Sequence, residues 1–251
     1  MIVIPMAGQS RRFHEAGYPR PKYELPLQGE SLFARCLRSF ERYFAGERFV
    51  FVARRDLDAE PFVAAECARL GIAAYHTVLL DRPTAGQAET VLLGLRAAGC
   101  CGNESLLVFN IDTIRPGYAF PAEAEHADGY LEVMRAPGDH WSFVRPAAAF
   151  TRRVAETTEK QRISDLCCTG LYQFARAADF IDACAAALRA SELYRERWGE
   201  LYVAPLYNIL LRAGRRIVYV EVPRDVVQCA GTPAEYEALL AAGRSPPWGP
   251  P

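Results

Sequence analysis

Residues 2–5 form a β-branched apolar run that empties into Met6-Ala7-Gly8, the pattern of a buried strand feeding a glycine turn. Across 31–44 the apolar positions Leu32, Phe33, Cys36, Leu37, Phe40 and Phe44 recur at steps of three and four. That spacing predicts a helix, with Ser31 as its N-cap. Alternating Phe and Val at 48–52 predict a second strand, 61–70 a helix, and 72–78 a third strand followed by a polar loop at 81–87. Residues 89–98 read as a helix, and 105–110 as a fourth strand stopping just short of Asp112.

Strand and helix alternate through these four strands, which implies an α/β fold with a parallel, doubly wound, Rossmann-like sheet and right-handed crossovers. Ligands of such sheets lie beyond the carboxyl ends of the strands, so the turns at 7–22, 81–87 and 111–115 are expected to face one cleft. The second half changes character. Short strands at 129–134, 142–145, 153–156 and 168–174 predict a mixed sheet with an antiparallel extension. Helices at 175–190 and 201–213, a strand at 216–222 and a helix at 233–241 complete the pattern. The Pro- and Gly-rich stretch 243–251 reads as a disordered tail, leaving a single domain over 1–242.

Composition narrows the function classes. The 251 residues carry a formal net charge of −1, which gives no reason to expect nucleic-acid or membrane binding. The apolar runs are too short to span a bilayer, and no basic stretch precedes residues 1–7 as in a signal peptide, so a cytoplasmic location is expected. The eight cysteines include no C-x-x-C pair and read as reduced, packed thiols.

Two segments carry candidate chemistry. Met6-Ala7-Gly8-Gln9-Ser10-Arg11-Arg12-Phe13, followed by Pro21-Lys22, places small residues and cations after a buried strand. There the backbone can wrap phosphates, and Arg and Lys can pair with them. It is neither a Walker loop nor a dinucleotide G-x-G-x-x-G pattern. Asp112, at the end of the fourth strand, is where such folds hold Mg²⁺ against phosphates.

These residues resemble the N-terminal signature of sugar-phosphate nucleotidyltransferases, A-A-G-x-G-T-R-L followed by P-K. Ala7, Gly8, Arg12, Phe13 and Pro21-Lys22 match, while Ser10 and Arg11 replace the second glycine and the threonine. The resemblance implies the nucleotide-diphospho-sugar transferase type of fold, with the loop 7–11 holding a nucleoside triphosphate. It implies Arg12, Lys22 and Asp112 as catalytic residues, with Mg²⁺ on Asp112.

Thr84-Ala85-Gly86-Gln87-Ala88 is similar to the family's G-x-A base loop, with Gly86 allowing close approach and Gln87 reading a base edge. Glu159-Lys160, Ser164-Asp165 and Thr169-Gly170-Leu171-Tyr172 resemble the E-K-P … S-N … T-G-L-Y block, making Glu159, Lys160 and Gly170 acceptor-binding. The stretches 128–130 and 140–143 are expected to flank that pocket, with Trp141 reading as core. Cys229-Ala230-Gly231-Thr232-Pro233 resembles D-x-G-T-P, with Thr232 as N-cap and Pro233 opening a helix. The family's second metal carboxylate, however, is Cys229 here, and a thiol is a poor ligand for a hard cation.

The expected activity is therefore transfer of NMP from an NTP, with a lean toward a pyrimidine, to a sugar phosphate or small phospho-alcohol, in capsule or surface-polysaccharide precursor synthesis. A glycosyltransferase using Asn110-x-Asp112, and a non-catalytic nucleotide-sugar-binding protein that has lost its metal, are the rival readings. The sequence leaves the base, the acceptor and a homo-oligomeric state open.

Overall fold

The computed structural model of the protein describes residues 1–242; the expected tail at 243–251 lies outside them. Nine strands form one mixed sheet: β1 (Ile2–Pro5), β2 (Arg48–Arg54), β3 (Ala74–Leu80), β4 (Leu106–Phe109), β5 (Gly129–Arg135), β6 (Ser142–Pro146), β7 (Val154–Glu159), β8 (Leu166–Phe174) and β9 (Ile217–Glu221). β1 pairs in parallel with β2 and β4, and β2 with β3, giving the doubly wound half. β8 then runs antiparallel to β4, β5 and β6, and β6 to β7, giving the expected antiparallel extension. β9 closes that edge in parallel with β5.

Side-chain alternation sorts the core onto two faces. Ile2, Ile4, Phe49, Phe51, Leu107 and Phe109 join one buried cluster with the helices α2 (Leu32–Leu37) and α3 (Ala59–Leu70). Val3, Val50, Val52, Leu106 and Val108 point the other way, onto α4 (Gln87–Ala97), α5 (Ala177–Arg189) and the short Tyr207–Arg212 helix. The period-two pattern of β1, β2 and β4 therefore does the work of a two-sided sheet. No helix among the described residues is long and apolar enough to cross a membrane.

Four expectations shift. The helix expected at 31–44 keeps its Ser31 cap, whose Oγ accepts from the Ala34 N–H at 3.1 Å. It tightens to 3₁₀ over Arg38–Tyr43, with Phe40 at φ −113° and ψ 21°. That kink lets Phe40 pack edge-on against Phe109 at 4.8 Å and Tyr118 at 5.2 Å. The third strand starts at Ala74 rather than 72 because Gly71 (φ 73°) ends α3 in a left-handed cap and Ile72 N–H still bonds Cys67 O. Ser191–Trp198 is an unforeseen helix with no fully buried residue, and its half-buried pair Tyr194 and Trp198 is too short a stripe to announce it. The helix expected at 201–213 begins only at Ala204, as a 3₁₀ turn with Pro205 in its first positions, leaving 201–203 free to cross the cleft.

Glu30 knots the α2–α3 layer together. Its carboxylate accepts from Arg38 Nε and Nη2 at 2.7–3.0 Å and from Arg69 Nη1 at 2.9 Å. The Arg38 hydrogen bonds outweigh burial, and with Arg69 they pull the Glu30 pKa from 4.5 to about 2. A depressed carboxylate stabilises the fold above its unfolded pKa and stops doing so as pH falls through the folded one. Glu30→Gln is therefore expected to cost about 1–2 kcal/mol in urea unfolding at pH 7, allowing for the exposed arginines. The gap to wild type should narrow below pH 4.5 and close near pH 2.

Candidate active site

The carboxyl ends of β1, β2 and β4 open onto a cleft of about 820 Å³, and every residue given a catalytic, nucleotide-binding or acceptor-binding role lines it. The loop from Ala7 leaves β1 and turns at Ser10, a non-glycine in the left-handed region (φ 48°), straight into the helix α1 (Arg11–Glu15). Lys22 N–H donates to Ser10 Oγ at 3.4 Å, folding the loop back on itself. Arg11 donates to Gln9 Oε1 at 3.0 Å. Phe13 is buried at the centre of an aromatic triangle with Tyr18 (5.6 Å) and Tyr236 (6.1 Å), so α8 (Pro233–Ala242) braces the loop from behind.

Lys22 Nζ reaches Asp112 Oδ2 at 2.5 Å across the cleft floor, with both side chains about one-fifth exposed. The turn carrying Asp112 is fixed from three sides. Asn110 N–H donates to Gly170 O at 3.1 Å, Ala230 N–H to Asp112 O at 2.8 Å, and the Cys36 thiol to Ile111 O at 2.9 Å. Gly170 (φ 96°) must be glycine, because a Cβ there would lie 2.6 Å from Asn110 Nδ2.

At the opposite wall, Gly86 (φ 146°) lets the base-loop backbone meet Leu201: Leu201 N–H donates to Ala85 O and Ala88 N–H to Leu201 O, each at 2.9 Å. A Cβ on Gly86 would come within 2.6 Å of Leu201 backbone atoms. Gln87 Nε2 donates to Asn110 Oδ1 at 2.5 Å, which leaves Oε1 and the second Nε2 hydrogen for a ligand.

The third wall carries Glu159 and Lys160 at the end of β7. Glu159 is buried and accepts from the Ser142 hydroxyl, and burial raises its pKa despite that bond. Lys160 takes a left-handed backbone (φ 52°) and donates to Tyr202 OH at 2.6 Å.

Two stretches are not where the sequence suggested. Asp128, Gly129 and Tyr130 do not flank the pocket: β5 runs in the same direction as β4, so they lie at its amino end, away from the cleft. Asp128 there accepts from Arg216 N–H at 2.7 Å. Asp165 is exposed and pairs with Arg162 at 2.7 Å on the surface. His140 and Trp141 do line the cleft, and Trp141 is half-buried there, packed against the core cluster around Met134, Phe143 and Cys167.

Sequence reasoning missed Tyr202 and Glu200, which also line the cleft. It missed a signal as well: of 29 Lys and Arg residues only two are lysines, Lys22 and Lys160, and both are in this cleft. A chain that uses arginine for every other cation has kept an ammonium at two places facing one cavity.

Among the described residues no three His, Cys, Asp or Glu side chains gather as a metal-binding group. The donors at hand are Asp112 and, across Gly231, Glu235; a Cβ on Gly231 would lie 3.2 Å from Asp112 Oδ2 and 3.5 Å from Glu235 Oε2. Glu235 is engaged in a capping box, accepting from Thr232 N–H at 2.9 Å while Thr232 Oγ1 accepts from Glu235 N–H at 3.2 Å. Burial pushes the Cys229 thiol up to about 12, and its soft sulfur is a poor match for a hard cation. This donor set fits a hard cation held by one carboxylate together with phosphate oxygens and water, and does not fit an all-protein cage.

The model of the MobA-like NTP transferase domain matches residues 2–190. A nucleoside-diphosphate-sugar pyrophosphorylase from Vibrio cholerae RC9 is 45% identical, with 96% of this chain and 100% of that one covered at a TM-score of 0.91. The inositol-1-phosphate CTP transferase from T. maritima shares the fold at 15% identity, with 97% and 95% covered and a TM-score of 0.70. So does the UTP-bound UGPase from Acinetobacter baumannii, at 14% identity, with 96% and 92% covered and a TM-score of 0.68. None of the curated proteins matches. The matched stretch holds the glycine loop, the Lys22–Asp112 pair and eight of the nine sheet strands, and the chain belongs to the MobA-like NTP transferase family and is a nucleotidyltransferase.

Proposed function

We propose that the protein transfers NMP from a pyrimidine nucleoside triphosphate to a sugar phosphate or small phospho-alcohol, releasing pyrophosphate. The observation that carries this is the Lys22–Asp112 pair on the cleft floor, with a phosphate-sized glycine loop on one side and Lys160 on the other. One anionic substrate can thus meet another across a floor that already holds opposite charges. The name of the 45% identical Vibrio cholerae protein supports a sugar phosphate as acceptor. The pyrimidine rests on the CTP and UTP in the names of two proteins of the same fold.

In this reading the backbone of Ala7–Ser10, with Arg11, cradles the β- and γ-phosphates. An acceptor phosphate oxygen attacks the α-phosphorus, the bond to the pyrophosphate oxygen breaks, and pyrophosphate carries away the electron pair. Arg12 and Lys22 neutralise the charge that builds on those oxygens. Asp112 is the residue that would hold Mg²⁺, whose chemistry is to polarise the phosphates and offset their charge. Glu159 and Gly170 bound the acceptor, and Lys160 meets its phosphate. The free thiols of the described residues suit a reducing compartment, so the proposed place of work is the cytoplasm, in supply of capsule or surface-polysaccharide precursors.

The match to a nucleotidyltransferase family supports this reading over the glycosyltransferase one.

Thermal unfolding with Mg²⁺ and each of ATP, GTP, CTP, UTP and dTTP is expected to show one pyrimidine triphosphate stabilising by about 5–10 °C near a hundredfold excess over Kd. Excess EDTA should abolish most of that shift. Lys22→Ala is expected to lower pyrophosphate release about 10²–10³-fold while the fold persists. Unchanged release would remove Lys22 from the mechanism.

A further inference from the structure

We infer that Tyr202 is the positioning residue for Lys160, and that it ties the acceptor lysine to the nucleobase loop. The inference deepens the transferase reading and rests on it for the role of Lys160. Lys160 Nζ donates to Tyr202 OH at 2.6 Å and lies 4.8 Å from the centroid of the same ring. The phenol oxygen thus holds the ammonium by a hydrogen bond, with the ammonium beside the hydroxyl end of the ring. Lys160 needs such a hold. Its backbone is in the left-handed region (φ 52°), which a non-glycine residue occupies at a cost, and its N–H is anchored to Trp141 O at 2.8 Å. The start of the side chain is fixed by the strand end, and its far end by Tyr202.

Tyr202 is itself fixed by its neighbour. Leu201 makes two backbone hydrogen bonds with the base loop, to Ala85 and from Ala88, and the close approach requires Gly86. A two-residue segment, Leu201-Tyr202, therefore runs from the loop expected to receive the base to the lysine expected to receive the acceptor phosphate. It crosses the cleft where the sequence predicted the start of a helix. The phenol also sets the ammonium's character, because its hydrogen bond helps raise the Lys160 pKa against the downward pull of burial.

The sequence makes the test unusually clean, since Lys22 and Lys160 are the only lysines. Limited acylation by acetic anhydride, read by peptide mass spectrometry, reports on Lys160 with Lys22 as internal reference. Tyr202→Phe keeps the ring and removes the hydroxyl. It is expected to speed Lys160 acylation about five- to tenfold relative to Lys22, as one lost hydrogen bond to a charge would. In steady state, with hexose 1-phosphates and phosphocholine as acceptors, the variant should raise the KM for the acceptor about five- to tenfold, with the triphosphate KM within about twofold. In a Lys160→Gln background the same change should add nothing, because Tyr202 acts through Lys160.

An unchanged Lys160:Lys22 acylation ratio overturns the proposal, and so does an equal cost of Tyr202→Phe with and without Lys160. A wild-type enzyme that releases no pyrophosphate with any triphosphate and acceptor sinks the transferase reading instead, and the acylation ratio still decides on Tyr202.

Discussion

Everything in the cleft depends on β1 lying parallel between β2 and β4. Parallel pairing forces each chain to leave the sheet at the same edge, so the loop at 7–22 and the turn at 110–112 arrive side by side although about ninety residues of sequence separate Lys22 from Asp112. The two charges then meet at 2.5 Å in a partly shielded floor, where an ion pair is stronger than in open water. Extended apolar alternation is what makes the parallel pairing stable, since Phe49 and Phe51 bury on one face and Val50 and Val52 on the other. The catalytic geometry is thus a consequence of a two-sided core.

The antiparallel half solves a different problem, that of placing the second substrate. β8 pairs with β4 through Leu171–Phe174, and with β6 only at Cys167. β6 therefore continues beyond the carboxyl end of β4, and its first residues overhang the floor. β7 returns beside it and delivers Glu159 and Lys160 to the same side. The bulge between Cys168 and Tyr172 accommodates Gly170 under Asn110, so the two halves of the sheet join at the point where the two substrates must meet.

Much of this could be read from residues 1–112, because parallel strands announce themselves as short apolar runs and their turns carry the chemistry. Ala7, Gly8, Lys22 and Asp112 were found by position as much as by type. The later failures have a common cause. Strand direction in the second half is set by tertiary pairing, so the amino end of β5, with Asp128, could be mistaken for a cleft edge. Tyr202 was hidden inside an apolar stretch that reads as helix, and only the backbone bonds of Leu201 to the base loop keep it extended. The Ser191–Trp198 helix buries no residue fully, and its half-buried face of Tyr194 and Trp198 is too short a stripe to give it away. The scarcity of lysine, by contrast, was visible in the sequence and pointed at both ends of the reaction.

The aromatic triangle of Phe13, Tyr18 and Tyr236 joins the first loop of the chain to its last described helix, and the Tyr236 hydroxyl donates to Pro26 O at 2.5 Å. The loop after β1 is thus backed by a helix that also reaches Pro26 across 210 residues of sequence, so the shape of the phosphate grip is set by long-range packing and not by the loop's own residues alone.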